Sequence, residues 1–487
     1  MQDRPNIILI ITDQQRYDTI RALGYPHCIT PNLDNLIHQG TTFEQCHVTA
    51  ASCAPARASL FTGYYPHTSG ILKNADDWTR SWVEILSDSG YYCSNIGKMH
   101  TWPFTAPCGF NERHVVENKD RFLEGAEFTD EWESYMKKEG IDKQRREVYR
   151  KREDYKMALG AFTWENPESS HSDFFTGSRA ENWLIEYSED KPFFLEIGFP
   201  GPHPPYDPTP SYLKMYDEVE VPLQPVMQED LDLQPQSLKA LRQHNAEVDH
   251  DSIVHQLNPS EESRLRQRKH YLANVTMIDH AVGRIVECLK NNKLYQDTVI
   301  IFTSDHGDCL TDHGHSQKWT MFEQITRVPL IICGSGIQEN NRCSELVQWM
   351  DIGATILDFA HCETPDIEAV SMMPALQADK SWQGRDYLFC EQVGDMVLTD
   401  AKFMTMIRDK KWKLIHFLES QEGQLYNLID DPMEARNLWN DPDYQKQKDH
   451  LQLQILNWRV RSQLDHPNCW IFQNENQKPR KSQPAHS

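Results

Sequence analysis

A chain of 487 residues exceeds what one simple core supports, so two or three domains are allowed, with two favoured if one is a large sheet-based unit. Its 49 Lys plus Arg against 72 Asp plus Glu leave a formal net charge of -23, a surface that repels nucleic acid and argues against a nucleic-acid partner. An anionic substrate would have to be met by cations gathered locally.

The twelve Cys follow no dense, regular spacing and form no CxxC pair, so they read as reduced thiols, most of them buried. Met1 leads through Gln2, Asp3 and Arg4 straight into Asn6-Ile7-Ile8-Leu9-Ile10-Ile11, without the basic region, apolar stretch and cleavage site of a secretory leader. The expectation is a cytoplasmic protein, or a periplasmic or secreted one if a leader once preceded this sequence. No apolar run reaches the length that crosses a bilayer, so no membrane role is expected. The oligomeric state is not legible.

Along the chain, Ile7 to Ile11 is a β-branched run ending at Thr12-Asp13, which predicts a strand buried on both faces with Asp13 at its C-terminal end. Phe193 to Ile197 predicts a second such strand. Val299 to Phe302 predicts a third, running into Thr303-Ser304-Asp305-His306-Gly307, again with polar residues just past the strand end. Between the last two, Val275, Ile278, Val282, Ile285 and Leu289 keep helical spacing and predict an amphipathic helix covering the sheet. This alternation predicts an α/β fold, a large mixed, mostly parallel sheet flanked by helices. It is assigned to residues 1–375, with polar insertions at about 111–172 and 205–268.

From about residue 383 the texture changes. Tyr387 to Val393, Phe403 to Arg408, Trp412 to Phe417 and Gln424 to Leu428 read as short antiparallel strands between charged turns, closed by a helix near Gln452 to Leu464. They predict a smaller C-terminal subdomain over 376–487, with Lys478 to Ser487 as a frayed tail.

The most informative stretch is Ser52-Cys53-Ala54-Pro55-Ala56-Arg57-Ala58-Ser59-Leu60-Phe61-Thr62-Gly63. Pro55 suits a first helical turn, the free N–H groups there favour an anion beside residue 53, and Arg57 adds a fixed positive charge. The segment resembles the signature of the formylglycine-dependent (type I) sulfatases of the alkaline phosphatase-like superfamily. In that family the Cys is oxidised to formylglycine by a separate generating or maturating enzyme, which the resemblance implies as a partner of this chain.

The resemblance extends over most of residues 5 to 440 and implies roles position by position. Asp13, Gln14, Asp305 and His306 match the metal positions, with residue 53 completing the shell around one divalent cation, Ca2+ favoured and Mg2+ or Mn2+ as alternatives. Many sulfatases carry Asp or Asn where this chain has Gln14, and Asn where it has His306. The combination present here resembles the choline sulfatase and phosphonate monoester hydrolase branch. Gly97-Lys98-Met99-His100 resembles the element whose Lys and His point at the sulfate, His203 matches the second active-site His, and Lys318 the last active-site Lys. Asn74 falls where that branch places a substrate-binding Asn.

The implied chemistry is attack on sulfur by one hydroxyl of the hydrated aldehyde. Arg57, Lys98 and Lys318 spread the developing charge, and His203 with Lys318 protonates the departing alkoxide. His100 then takes a proton from the second hydroxyl as sulfate is expelled. The expected activity is hydrolysis of a sulfate monoester, with a sulfated carbohydrate favoured as substrate. A phosphonate monoester hydrolase or phosphodiesterase, and a choline sulfatase, are the alternatives; an inactive protein that binds sulfated glycans is a remote one.

Overall fold

The computed structural model describes residues 4–120, 128–467 and 469. The tail expected over Lys478 to Ser487 lies outside the described residues. In chain order, the large sheet is built from β1 (Asn6–Asp13), β2 (Gly40–His47), β3 (Tyr92–Gly97), β4 (Glu112–Val115) and β5 (Phe193–Pro202). It continues with β6 (Thr298–Ser304), β7 (Arg327–Val328), β8 (Leu330–Cys333) and β9 (Asn341–Gln348). Their spatial order is β4-β3-β5-β1-β6-β8-β2-β7, with β9 also paired to β2.

The half that matters for function is parallel: β4, β3, β5, β1 and β6 run in one direction. β8 reverses against β6, which makes the sheet mixed as expected. β1 is central and buried along its whole length. Its pleat sends Ile8 and Ile10 to one face and Ile7, Leu9 and Ile11 to the other, so both faces can be covered and the run needs no polar alternation.

Helices fill both faces. On the Ile7 face lies α1 (Cys53–Thr62), buried throughout, contributing Ala56, Ala58, Leu60 and Phe61. On the Ile8 face lie α2 (Ser172–Glu186) and α3 (Glu261–Asn291), through Ala180, Trp183, Ile278, Val282, Ile285 and Leu289. Four of the five periodic residues identified from sequence thus form the sheet-facing stripe of α3, while Val275 packs in a separate cluster with Tyr206 and Tyr216; α3 starts fourteen residues before Val275, at Glu261. The Ser260 hydroxyl caps it by accepting from the Ser263 amide at 3.1 Å, and Glu261 and Glu262 suit the positive end of the helix dipole. The polar stretch 205–268 therefore ends inside a core helix, and the stretch 111–172 opens with a sheet strand, β4.

The C-terminal sheet is antiparallel, in the order β10 (Leu388–Val393), β11 (Phe403–Arg408), β12 (Trp412–Phe417) and β13 (Gly423–Asn427). The closing helix, α4 (Gln445–Asp465), is longer than its apolar spacing suggests and packs Leu451 and Trp458 onto Ile407, Leu414 and Leu425. All twelve Cys are free thiols, ten of them buried. Among the described residues no helix is long and apolar enough to cross a membrane.

Candidate active site

The parallel strands deliver their next residues to one place, the C-terminal edge of the sheet, where open α/β folds build their sites. Thr12 of β1 lies opposite Ser304 of β6, so Asp13 and Asp305 emerge side by side. Gly97 of β3 pairs with Gly198 of β5, which brings Lys98 next to them. Both must be glycine: Gly97 has a φ of +104°, and a Cβ on Gly198 would collide with the Lys98 carbonyl. His203 follows the end of β5.

Cys53 faces this edge from the first turn of α1. Its Sγ lies 3.1 Å from His306 Nε2, 3.7 Å from Asp13 Oδ1, and accepts from Lys318 Nζ at 3.1 Å. Lys318 Nζ also donates to Gln14 Oε1 at 3.1 Å. Arg57, one turn along α1, donates from Nε to Asp305 Oδ2 at 2.8 Å and from Nη1 to the Lys98 carbonyl. Its Nη2 is buried without a hydrogen-bond partner among the described residues, an orphan donor suited to an anion. The Lys98 ammonium is paired with Asp13 Oδ2.

Ligand atoms of Asp13, Cys53, Asp305 and His306 all lie within 4.8 Å of one another, and all four residues are buried. The His306 Nδ1 sits 2.9 Å from the Gly307 carbonyl, which can only accept, so a proton is fixed at Nδ1 and Nε2 is the ring atom turned to the cluster. Gln14 adds an amide oxygen and is held in the left-handed region, with a φ of +71°, strain of a kind that concentrates at working sites. Two carboxylates, an amide oxygen and one imidazole fit a divalent cation.

A family profile described as Sulfatase matches residues 5–362. The chain belongs to the sulfatase family. A second profile, described as N-sulphoglucosamine sulphohydrolase, C-terminal, matches residues 311–461. The chain is 28% identical over 482 residues to an arylsulfatase from Clostridium perfringens, covering 92% of this chain and 93% of that protein. It is 25% identical over 515 residues to an N-acetylglucosamine-6-O-sulfatase from Bacteroides thetaiotaomicron, covering 92% and 85%. Among solved structures, the phosphonate monoester hydrolase of Agrobacterium radiobacter superposes with a TM-score of 0.78 at 24% identity over 99% of this chain and 100% of that one. The fold is thus alkaline phosphatase-like, and the class of the chain is that of the sulfuric ester hydrolases.

In this sulfatase the charges are mutually sustaining. Burial alone would push the Asp13 carboxyl up, but Lys98, His203, Lys318 and Arg57 hold it well below the usual carboxylate range. Burial likewise opposes the Lys98 and Lys318 ammoniums, and Asp13 and Cys53 outweigh it, so both stay protonated. The His306 imidazole is raised against burial by Asp305 and Cys53. The other two histidines go the opposite way: burial and Lys98 depress His100 well below its usual value, and burial and Lys318 bring His203 down to about 3. Both are neutral at pH 7.

The cluster opens into a cavity of about 710 Å3 lined by residues spread between Ser52 and Val397. Asn74 sits exposed at its rim beside Lys73, in the same cavity but outside the central cluster. The two polar stretches supply a wall through Glu117, Asn118, His250 and Asp251, and the C-terminal unit contributes Gly394 to Val397. The structure therefore brings Asp13, Gln14, Cys53, Arg57, Lys98, Asp305, His306 and Lys318 into one connected cluster, with His100 and His203 lining the cavity above it. Three groups were not found by sequence reasoning. Glu117 Oε1 accepts from the His100 amide at 2.9 Å; Asp251 Oδ2 lies 3.6 Å from His203 Nε2; and Asp308 accepts from the Gln14 side chain. Only Asp308 carried a signal, standing three residues after Asp305 in the same loop.

Proposed function

We propose that this chain hydrolyses a sulfate monoester, with a sulfated carbohydrate as substrate, after oxidation of Cys53 to formylglycine by a maturation enzyme. One divalent cation, Ca2+ in preference to Mg2+ or Mn2+, would be held by Asp13, Gln14, residue 53, Asp305 and His306. The observation that carries this reading is the setting of Cys53: a thiol at a helix start, within 3.1 Å of both the His306 Nε2 and a protonated Lys. A core cysteine has no need of such neighbours. In the matured protein the Sγ position would be taken by hydroxyl oxygen of the hydrated aldehyde. The formylglycine hydrate and the cation together supply a hydroxyl nucleophile of lowered pKa.

The remaining roles belong to the chain's own side chains. Arg57 and Lys98 lie where negative charge accumulates on the sulfuryl oxygens, and each is already fixed by a carboxylate, so they act without reorganising. Lys318 holds a proton at Nζ and is the better donor to a departing alkoxide, because His203 is neutral in the resting site. His203 Nδ1 donates to the Pro204 carbonyl at 2.7 Å, which orients Nε2 toward Asp251. His100 has a buried Nδ1 with no hydrogen-bond partner among the described residues, a free site for the proton released when residue 53 is restored.

The catalytic unit on this reading is 1–375, and the subdomain 376–487 adds the Gly394–Val397 lip. The cavity has the size of sites that enclose a small ligand, and Phe104 and Trp319 are among the residues that line it. The name of the Bacteroides thetaiotaomicron relative supports an amino-sugar sulfate. A phosphonate monoester is the second reading, favoured by the Gln14 and His306 pair in the metal cluster. Desulfation across defined sulfated saccharides and choline sulfate, with rates on an aryl sulfate and a phosphonate monoester measured in parallel, tests the proposal; a phosphonate preference would replace it.

A further inference from the structure

Gln14 is the unusual member of the metal cluster. Its side chain spans two neighbours of opposite demand. Nε2 donates to Asp308 Oδ2 at 2.6 Å, and Oε1 accepts from Lys318 Nζ at 3.1 Å. A carboxylate can only accept and an ammonium can only donate, so the amide has one satisfactory orientation. All three residues are buried.

Asp308 is itself over-determined. The Tyr206 hydroxyl donates to the same Oδ2 at 2.6 Å, and the Leu310 amide donates to Oδ1 at 2.9 Å. Three donors converge on it, which suits an ionised carboxylate and leaves no position for an amide NH2. The backbone carbonyl of Gln14 accepts from the Tyr271 hydroxyl at 2.6 Å, which secures the residue at its strained φ. Tyr206 stands on the loop that carries His203, so the same carboxylate ties that loop to the cluster.

We infer that Asp308 is a positioning residue that points the Gln14 carbonyl oxygen at the cation and makes an amide, rather than a carboxylate, the group this site accepts at position 14. The inference rests on the metal reading above. A carboxylate at 14 would face the Asp308 carboxylate with no proton between them. A neutral amide also restricts the charged oxygen ligands from these four positions to Asp13 and Asp305.

The test is Ca2+ titration by calorimetry of metal-free protein, with residue 53 in the same state in every sample. Asp308→Asn puts an NH2 among three donors, frees Gln14 to turn its own NH2 toward the cation, and is expected to weaken binding by about 10–100-fold. Gln14→Glu alone is expected to weaken it as well. The double variant Gln14→Glu with Asp308→Asn restores a donor–acceptor match and is expected to recover most of the loss, which a misfolded Asp308→Asn protein could not do. Wild-type binding that Asp308→Asn leaves unchanged, or a double variant no better than Asp308→Asn, would overturn the inference while the metal reading stands. Wild-type protein that binds no Ca2+, with Asp305→Asn indistinguishable from it, would overturn both.

Discussion

Replacing Lys318 with Ala removes a buried ammonium that lies 3.1 Å from both Cys53 Sγ and Gln14 Oε1. Burial works against its charge, yet Cys53 and Asp13 raise its pKa, and Asp13 with Asp251 remains to favour the ammonium once Cys53 has been converted. Two contributions vanish with it. A fixed cation beside the transferring oxygens is worth about 10²–10³ in rate, and delivery of a proton to the leaving group about 10²–10⁴. The leaving group separates them, because an aryl oxide departs without a proton and a sugar alkoxide needs one. With an aryl sulfate, Lys318→Ala is expected to lose about 10²-fold in kcat, or about 2.7 kcal/mol. With a saccharide sulfate the loss grows by about a further 10²-fold. Steady-state kcat on the two substrates is the assay. Equal losses would refute proton delivery by Lys318, and no loss on either would remove it from the reaction.

Other outcomes follow from the same geometry. A chelator is expected to abolish activity, and Ca2+ to restore it, while the fold survives, because Lys98 and Arg57 already pair with Asp13 and Asp305. The stability lost on chelation should not exceed the linkage value, about 2.7 kcal/mol at a hundredfold excess of cation over Kd; global unfolding would contradict this. Gly198→Ala drives a Cβ into the Lys98 carbonyl and should displace Lys98, costing about 10²-fold in kcat for a shift of about 1 Å; an unchanged rate would show that Lys98 placement tolerates it. For pH, His203 has a folded pKa of about 3 against an ordinary value of 6.5, so its share of stability is full above 6.5 and falls as pH drops from 6.5 toward 3. Denaturant unfolding at pH 7 and 5.5 should therefore show wild type losing about 1.4 kcal/mol more than His203→Gln. Identical slopes would mean His203 is already charged when folded.

The sequence was most legible where burial is most complete. β1 and β6 are covered on both faces, so their residues form unbroken β-branched runs, and their ends announce Asp13 and Asp305. β4 was hidden because it is an edge strand with partly exposed residues and no apolar pattern. α2 was also missed; Gly177 in its middle weakens the helical signal, and that glycine is where the helix passes close to Ala281 of α3. The first half of α3 carries charged residues around Tyr271 and Leu272, which join Tyr206 and Tyr216 in a cluster built from distant segments and invisible to a periodicity.

At the site, the residues that stood out were those whose spacing along the chain is short: Cys53 with Arg57, Lys98 with His100, and Asp305 with His306. Asp251 was not legible because only tertiary structure places it near His203. It sits with Ser252 in a tight turn closed by reciprocal hydrogen bonds between His250 and Ile253, both turn residues at positive φ. The Tyr206 ring packs against Tyr271, as an aromatic in a loop commonly does, while its hydroxyl is what reaches the site.

The most direct test of the formylglycine mechanism is the mass of the peptide containing residue 53, taken from protein produced with a sulfatase-maturating enzyme and shown in the same preparation to release sulfate. An aldehyde in place of the Cys53 thiol, in proportion to the active fraction, is the expected result. Sulfate release from protein whose residue 53 is entirely unmodified thiol would contradict it.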